Sequence, residues 1–268
     1  MIPVRVNENL RLSGGYQEYE IDSERDLELT FTAEEDCDVF VRIRNAVNLR
    51  VRWFIAHDVK ASVLFWNVSG QPVKMDQSAD VMRNSDLTMA FGECGAAQTD
   101  INAYVALREE GAQSLLSTAS LVSTHKNYHL QTVNFAPHTY GDMKNYAVVL
   151  NKGVLMIDAV GSIVKGAYRS ESHQTSRALS FEEGQKSTIL PELLIDENDV
   201  QASHAMSIGR MDEDQLYYMM SRGLSVQQCT SLISTGYLMP VTEVLKNESL
   251  RQKLKEEMER KIGEICSM

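Results

Sequence analysis

Short runs in which apolar and polar residues alternate one for one, separated by polar or glycine-containing breaks, dominate the chain from about residue 28 to about residue 205. A side-chain period of two marks a strand with one buried face. In Val39-Phe40-Val41-Arg42-Ile43-Arg44, and again in Leu49-Arg50-Val51-Arg52-Trp53, apolar residues take one face while arginines alternate onto the other. Leu87-Thr88-Met89-Ala90-Phe91 and Ile101-Asn102-Ala103-Tyr104-Val105-Ala106-Leu107 read the same way. The runs restart roughly every dozen residues with no helical segment between them. That excludes a doubly wound α/β sheet and leaves a sandwich, a barrel or a β-solenoid. No tight hexapeptide or calcium-binding nonapeptide repeat is present, so a solenoid here has irregular coils.

The pattern changes near Gly209. Asp212, with Gln215 three residues on, offers a helix N-cap, and Leu216, Tyr217 and Met220 follow at helical spacing before Arg222-Gly223 ends the run. Ser225 and Gln228 form a second capping box, opening a helix that carries Cys229, Leu232, Ile233, Gly236 and Tyr237 on one face until Pro240 interrupts it. In the last stretch Leu250, Leu254, Met258 and Ile262 fall every four residues, with charged side chains over the remaining surface. We therefore expect an all-β body over residues 1–210 and a small helical domain over residues 211–268.

Composition narrows the function classes. Of the 268 residues, 43% are apolar, enough for a substantial core, and 37 acidic against 26 basic residues give a net charge of -11. No overall positive field exists to attract nucleic acid or an anionic membrane. No leader-like N-terminus and no apolar run approaching the roughly 20 residues of a membrane span is visible, so a soluble, cytoplasmic protein is expected. Cys37, Cys94, Cys229 and Cys266 are widely spaced, without a CxxC pair, which argues against a zinc knuckle or a disulfide framework. Cys229 is expected in a helix core and Cys94, between Glu93 and Gly95, in a more exposed turn. His125 and His129 share a strand face about 13 Å apart, too far to bind one ion. His138 reads as a satisfied turn residue. Neither a phosphate-binding G-x-x-x-x-G-K-(S/T) loop nor a G-x-S-x-G nucleophile elbow occurs.

At the boundary the residues become recognisable. Pro191-Glu192-Leu193-Leu194-Ile195, Asp199-Val200 and Ser203-His204 precede Gly209-Arg210-Met211-Asp212-Glu213-Asp214-Gln215-Leu216-Tyr217-Tyr218 and Ser221-Arg222-Gly223-Leu224. Together these resemble the SufD/SufB family of iron-sulfur cluster assembly scaffolds, where P-E-L-E-I, a D-V pair and H-G-A-T or H-E-A-T lead into G-x-(I/L)-D-x-x-x-(L/I)-F-Y-L-x-S-R-G-(I/L). Looser matches lie at Pro137-His138-Thr139, Gly153-Val154-Leu155-Met156-Ile157 and Gln174-Thr175-Ser176-Arg177-Ala178-Leu179. The resemblance covers roughly residues 120 to 250. It implies a right-handed parallel β-helix followed by a small C-terminal helical domain that docks a SufC-type ABC ATPase. One SufB and one SufD subunit then pair through their β-helices, and this chain itself neither binds nor hydrolyses ATP.

Two departures select within the family. SufB-type scaffolds carry a cysteine shortly before the P-x-(I/L)-E strand and a glutamate after the histidine, whereas this chain has Gly184-Gln185-Lys186-Ser187-Thr188 and His204-Ala205-Met206-Ser207. The reading is therefore SufD-like and non-enzymatic, with the N-terminal helical region of longer members missing or reduced. His204 is the candidate ligand for iron or a nascent cluster, with the partner supplying a cysteine. Leu216, Tyr217, Met220, Arg222, Tyr237, Leu238 and Met239 are the candidate ATPase-docking residues. No cofactor is expected to stay bound to this chain alone, although an iron-sulfur cluster could pass through the complex. The alternatives are a homodimeric scaffold, in which the chain pairs with itself and works with the ATPase, and a β-helix carbohydrate-active enzyme.

Overall fold

The computed structural model describes residues 1–4, 7–181 and 185–266. Among the described residues, seventeen strands follow one another and alternate between two sheets. The nine-stranded sheet holds, side by side, β1 (Ile2–Val4), β3 (Gly15–Asp22), β5 (Cys37–Asn45), β7 (Lys60–Asn67), β9 (Asp86–Glu93), β11 (Gln113–Val122), β13 (Tyr140–Val149), β15 (Glu171–Ser180) and β17 (Gln201–Arg210). The eight-stranded sheet holds β2 (Glu8–Leu12), β4 (Leu27–Ala33), β6 (Asn48–Ile55), β8 (Val73–Val81), β10 (Thr99–Leu107), β12 (His125–Asn134), β14 (Val154–Ile163) and β16 (Lys186–Ile195). Every pairing is parallel. Of the three architectures the alternation allows, the chain therefore adopts the solenoid: each coil adds one strand to each sheet, and the opposite strand serves as the crossover that parallel pairing requires.

The alternation maps onto the two faces as expected. In β6, Leu49, Val51, Trp53 and Ile55 are buried between the sheets while Asn48, Arg50, Arg52 and Phe54 face solvent. Where an even strand hands over to the next odd one from β6 onward, a residue just before the odd strand turns left-handed: Asp58, Asn84, Gly111, His138 and Arg169, with φ of 61°, 57°, 75°, 56° and 55°, joined in the last of these turns by Gly166 at 94°. Asp and Asn tolerate that region best among residues bearing a Cβ, and Gly111 has no Cβ to strain. His138 is thus a turn residue, with Glu110 3.9 Å from its Nε2 and its ring edge-on to Tyr168.

The interior changes character along the solenoid. Its early coils are packed by an aromatic row, Tyr19, Phe31, Trp53, Phe65 and Phe91, with neighbouring ring centroids 4.4–6.0 Å apart. The indole Nε1 of Trp53 donates to Gln77 Oε1 at 3.1 Å, so the buried ring leaves no unpaired donor. Later coils carry hydroxyls and amides in the same positions, and parallel register stacks Phe65, Phe91, Thr118, Asn145, Ser176 and Met206 in one inner column. There Thr118 Oγ1 donates to Asn145 Oδ1 at 2.9 Å and Asn145 Nδ2 to Ser176 Oγ at 3.1 Å.

Three helices close the chain: α1 (Glu213–Ser221), α2 (Val226–Leu238) and α3 (Glu248–Cys266), with a 3-10 turn over Met239–Val244 between the last two. The expected caps form. Asp212 accepts from the N–H of Asp214 and Gln215, and Ser225 and Gln228 bond reciprocally. Gly223 at φ 93° accommodates the left-handed exit from α1, its N–H bonded to Met220 O at 2.9 Å. α2 and α3 do not form a core of their own. Leu238, Leu250, Leu254, Met258, Ile262 and Ile265 pack with Phe40, Leu64, Trp66, Ala119 and Val148 on the outer face of the nine-stranded sheet. Fully burying a side chain such as Leu254 or Ile262 contributes about 1.5–3 kcal/mol.

This covering corrects two expectations. Arg42, assigned by alternation to an exposed face, lies beneath α3, where its guanidinium donates to both carboxylate oxygens of Glu257 at 3.0 and 2.9 Å and Trp66 Nε1 adds a third donor at 3.0 Å. Cys94, expected in an exposed turn, is buried in the same cluster. Burial, reinforced by the nearby Glu93 and Glu257 carboxylates, pushes its thiol far above the usual range, so it is not a reactive thiolate. Cys229 is buried, as its helical spacing implies.

Candidate functional site at the terminal rung

β16 and β17 form the last rung of the solenoid, and each has a strand neighbour on one side only. In β15 the inward positions Ser172, Gln174, Ser176 and Ala178 are buried. Register carries them onto Ala202, His204, Met206 and Ile208 of β17, yet every residue of β17 is exposed. The inner side of β17 is therefore bare, because no further coil covers it, whereas on β16 the inward Ile189 is buried. Leu190 and Leu194 of β16 are exposed as well, Leu194 at 53%. An uncapped rung with open backbone edges and exposed apolar side chains is a template for pairing with another chain.

His204 sits in the middle of this surface. It continues the inward column Met89, Leu116, Met143 and Gln174. Beside it, on the outward side, His173 is fixed at both nitrogens, its Nδ1 2.7 Å from Ser203 Oγ and its Nε2 3.1 Å from Glu171 Oε2. Among the described residues no group of three or more His, Cys, Asp or Glu side chains converges to hold a metal ion. Cys37, Cys94 and Cys229 are buried, and half-buried Cys266 packs against the helix-covered outer face of the sheet, so no cysteine of the described residues stands on the inner side of β17. His125 is exposed on β12, and on the same strand His129 pairs with Asp158 at 2.7 Å.

The helical candidates separate into two groups. α1 buries none of its residues: Tyr217 is 75% exposed, Tyr218 and Met220 are also exposed, and Arg222 packs over the Tyr218 ring at 5.1 Å while bonding its hydroxyl at 2.9 Å. Leu216 is half-buried, and on α2 Leu232 is exposed. By contrast Leu238 is fully buried, Tyr237 meets Tyr146 edge-on at 5.7 Å, and Met239 packs against the same cluster. Leu238 thus lies beneath the surface, while Tyr237 and Met239 are half-buried where α2 and the turn after it meet the sheet. Missing from the sequence-based set are the exposed apolar residues of the terminal rung, Leu190 and Leu194 on the outer face of β16 and Met206 and Ile208 on the inner side of β17; for the latter two the alternation is legible, but not that a neighbouring coil is absent.

A family model described as the SufBD core domain of SUF system FeS cluster assembly matches residues 62–237, more than half of the chain. This chain belongs to the SufBD core family. Its relatives include the iron-sulfur cluster assembly protein SufD of Bacillus subtilis, 35% identical over 137 residues, which is 51% of this chain and 31% of that protein. SufD of Escherichia coli is 26% identical over 148 residues, 54% of this chain and 35% of the relative. SufB of Bacillus subtilis is 23% identical over 185 residues, 67% of this chain and 40% of the relative. Identity to these SufD proteins thus exceeds identity to that SufB, and in each case the match spans less than half the relative's length. The SufBD core match takes in coils from β7 onward together with α1 and most of α2, joining the open rung and the exposed helix in one family unit.

Proposed function

We propose that this SufBD-family chain is the SufD-like, non-catalytic subunit of a SUF scaffold complex in the cytoplasm. It pairs through its terminal rung with a SufB-type subunit and binds a SufC-type ABC ATPase through the exposed face of α1 and α2. The observation that carries this reading is the bare inner side of β17, where His204, Met206 and Ile208 await a covering surface. A partner whose own last rung is bare can complete both. The cluster is cargo in this scheme. His204 offers one imidazole nitrogen from the interface, and the partner supplies the thiolate. Three buried, free thiols suit a reducing compartment. The net charge of -11 gives nucleic acid and anionic lipid no general attraction.

Co-expression of the chain with an ABC ATPase and a cysteine-bearing SufB-type paralogue, followed by size exclusion with light scattering, tests the assembly. One copy of this chain per paralogue is the expected stoichiometry. A complex of two copies with the ATPase and no paralogue would replace the heterodimer by a homodimeric scaffold, and three proteins eluting separately would remove the assembly reading. Within an assembled complex, His204→Ala should reduce cluster loading; loading equal to that of the unmodified chain would assign His204 to interface packing alone.

A further inference from the structure

Between the two sheets of the later coils, polar side chains replace the aromatic row, and not all of their atoms are satisfied by the protein. Ser114 Oγ, Thr132 Oγ1, Asn134 Oδ1, Ser172 Oγ and Gln174 Oε1 are buried without a hydrogen-bond partner. Their positions are related by register. Ser114, Gly141, Ser172 and Ala202 stack in one column of the nine-stranded sheet, and Thr132, Gly161 and Leu193 stack in one column of the eight-stranded sheet. The columns face each other: a Cβ on Gly141 would meet the Thr132 side chain, and a Cβ on Gly161 would meet Ser172 Oγ and Gln174 Nε2. Two glycines thus let the polar side chains of the facing columns approach the opposite backbone closely over successive coils.

The bonds these side chains do make satisfy their donors and not their acceptors. Asn134 spends its amide donor on Thr139 Oγ1 and Glu171 O, and Gln174 spends its donor on Glu192 O, which leaves the two side-chain carbonyl oxygens facing inward without donors. Hydroxyls can donate or accept, amide oxygens only accept, so water is the small molecule that complements this mixed set. Five unsatisfied buried groups in one region would together cost as much as the whole stability of a typical domain, whereas a buried water bonded to two to four polar atoms removes the cost.

We infer that the interior of the last coils is hydrated, with ordered water running from Ser114 past Thr132, Asn134 and Ser172 to Gln174, beneath His204 on the open rung. The inference is independent of the pairing with another chain, since the column lies within one molecule. The test is a high-resolution crystal structure of the full chain together with thermal melts of Thr132→Val and Ser172→Ala. Thr132→Val keeps the shape and removes only the hydroxyl. If water is bound, each substitution strips it of a partner, and melting temperatures should fall by about 2–4 °C. If the column is dry, each removes an unsatisfied group, and melting temperatures should stay equal or rise. Solvent density within hydrogen-bonding distance of Thr132 Oγ1 and Gln174 Oε1, with lowered melting, is the expected result. A column without density, or melting that is unchanged or raised, would overturn the inference.

Discussion

Lys126 and Glu93 show how a single buried cation can organise a turn. Both side chains are fully buried and their charged atoms stand 3.6 Å apart, but the shorter bonds of the ammonium go to Thr99 Oγ1 at 2.7 Å, Ala97 O at 2.9 Å and Gly95 O at 3.0 Å. Lys126 thereby ties the loop between β9 and β10 to the start of β12. Burial pushes the Glu93 carboxyl up and the Lys126 ammonium down, each countered in part by the other's charge. Glu93 also accepts from Asn67 Nδ2 at 2.9 Å, a bond that a glutamine oxygen can take over. Lys126→Met should therefore cost on the order of 3–5 kcal/mol, because it strands two loop carbonyls and a buried carboxyl. Glu93→Gln should cost no more than about 1–2 kcal/mol. Urea denaturation of the two variants measures the difference; equal losses would show that the ion pair, not the loop carbonyls, is what Lys126 serves. Lys126 was not legible as a core residue, since a lysine in an alternating strand reads as solvated until its inward register is known.

At the scale of elements, local signals were readable and non-local ones were not. The caps at Asp212 and Ser225 and the left-handed Gly223 follow from residues within one helical turn, and each stands where spacing put it. The sheet face beneath α2 and α3 was harder. Val63-Leu64-Phe65-Trp66 in β7 has no alternation because both of its faces are buried, a sign of a two-sided strand that does not say what lies on the second face. Its cover comes from α3, nearly two hundred residues on. The same packing decides which helical residues can be tested cleanly. Aspartate at Tyr237 would disturb the contact with Tyr146 and loosen α2, so lost ATPase binding there would have two explanations. Tyr217 and Tyr218 are exposed on a helix that buries nothing. Tyr217→Asp combined with Tyr218→Asp should leave stability within about 0.5 kcal/mol. If α1 docks the ATPase, the same pair should weaken binding about 30-fold or more, the cost of losing an aromatic hot spot. Titration calorimetry with the purified ATPase reads this directly, and unchanged affinity at unchanged stability would move the docking site off α1.

For the whole molecule, the main consequence of a solenoid is that coils contact only their neighbours, so an end coil must be capped, partnered or left exposed. Here the aromatic row and the helical cover stabilise the early and middle coils, while the last rung presents Met206 and Ile208 on its inner side with nothing above them. Alternation made β17 readable as a strand, and it could not show that the strand has no successor, which is a property of three-dimensional stacking. Met206→Lys with Ile208→Lys tests the role of that bare side. Both side chains are already about half exposed in the free chain, 49% and 46%, so charging them removes little buried contact and should shift the melting temperature by less than about 2 °C. In an assembled interface the same lysines would each be desolvated against apolar surface without a counter-charge, which is among the costliest events in association. Light scattering should then find the doubly substituted chain unable to join a SufB-type partner or a second copy of itself, at concentrations where the unmodified chain assembles. Retained assembly, with the fold intact, would mean that pairing uses another surface and that the open rung is only the end of the coil.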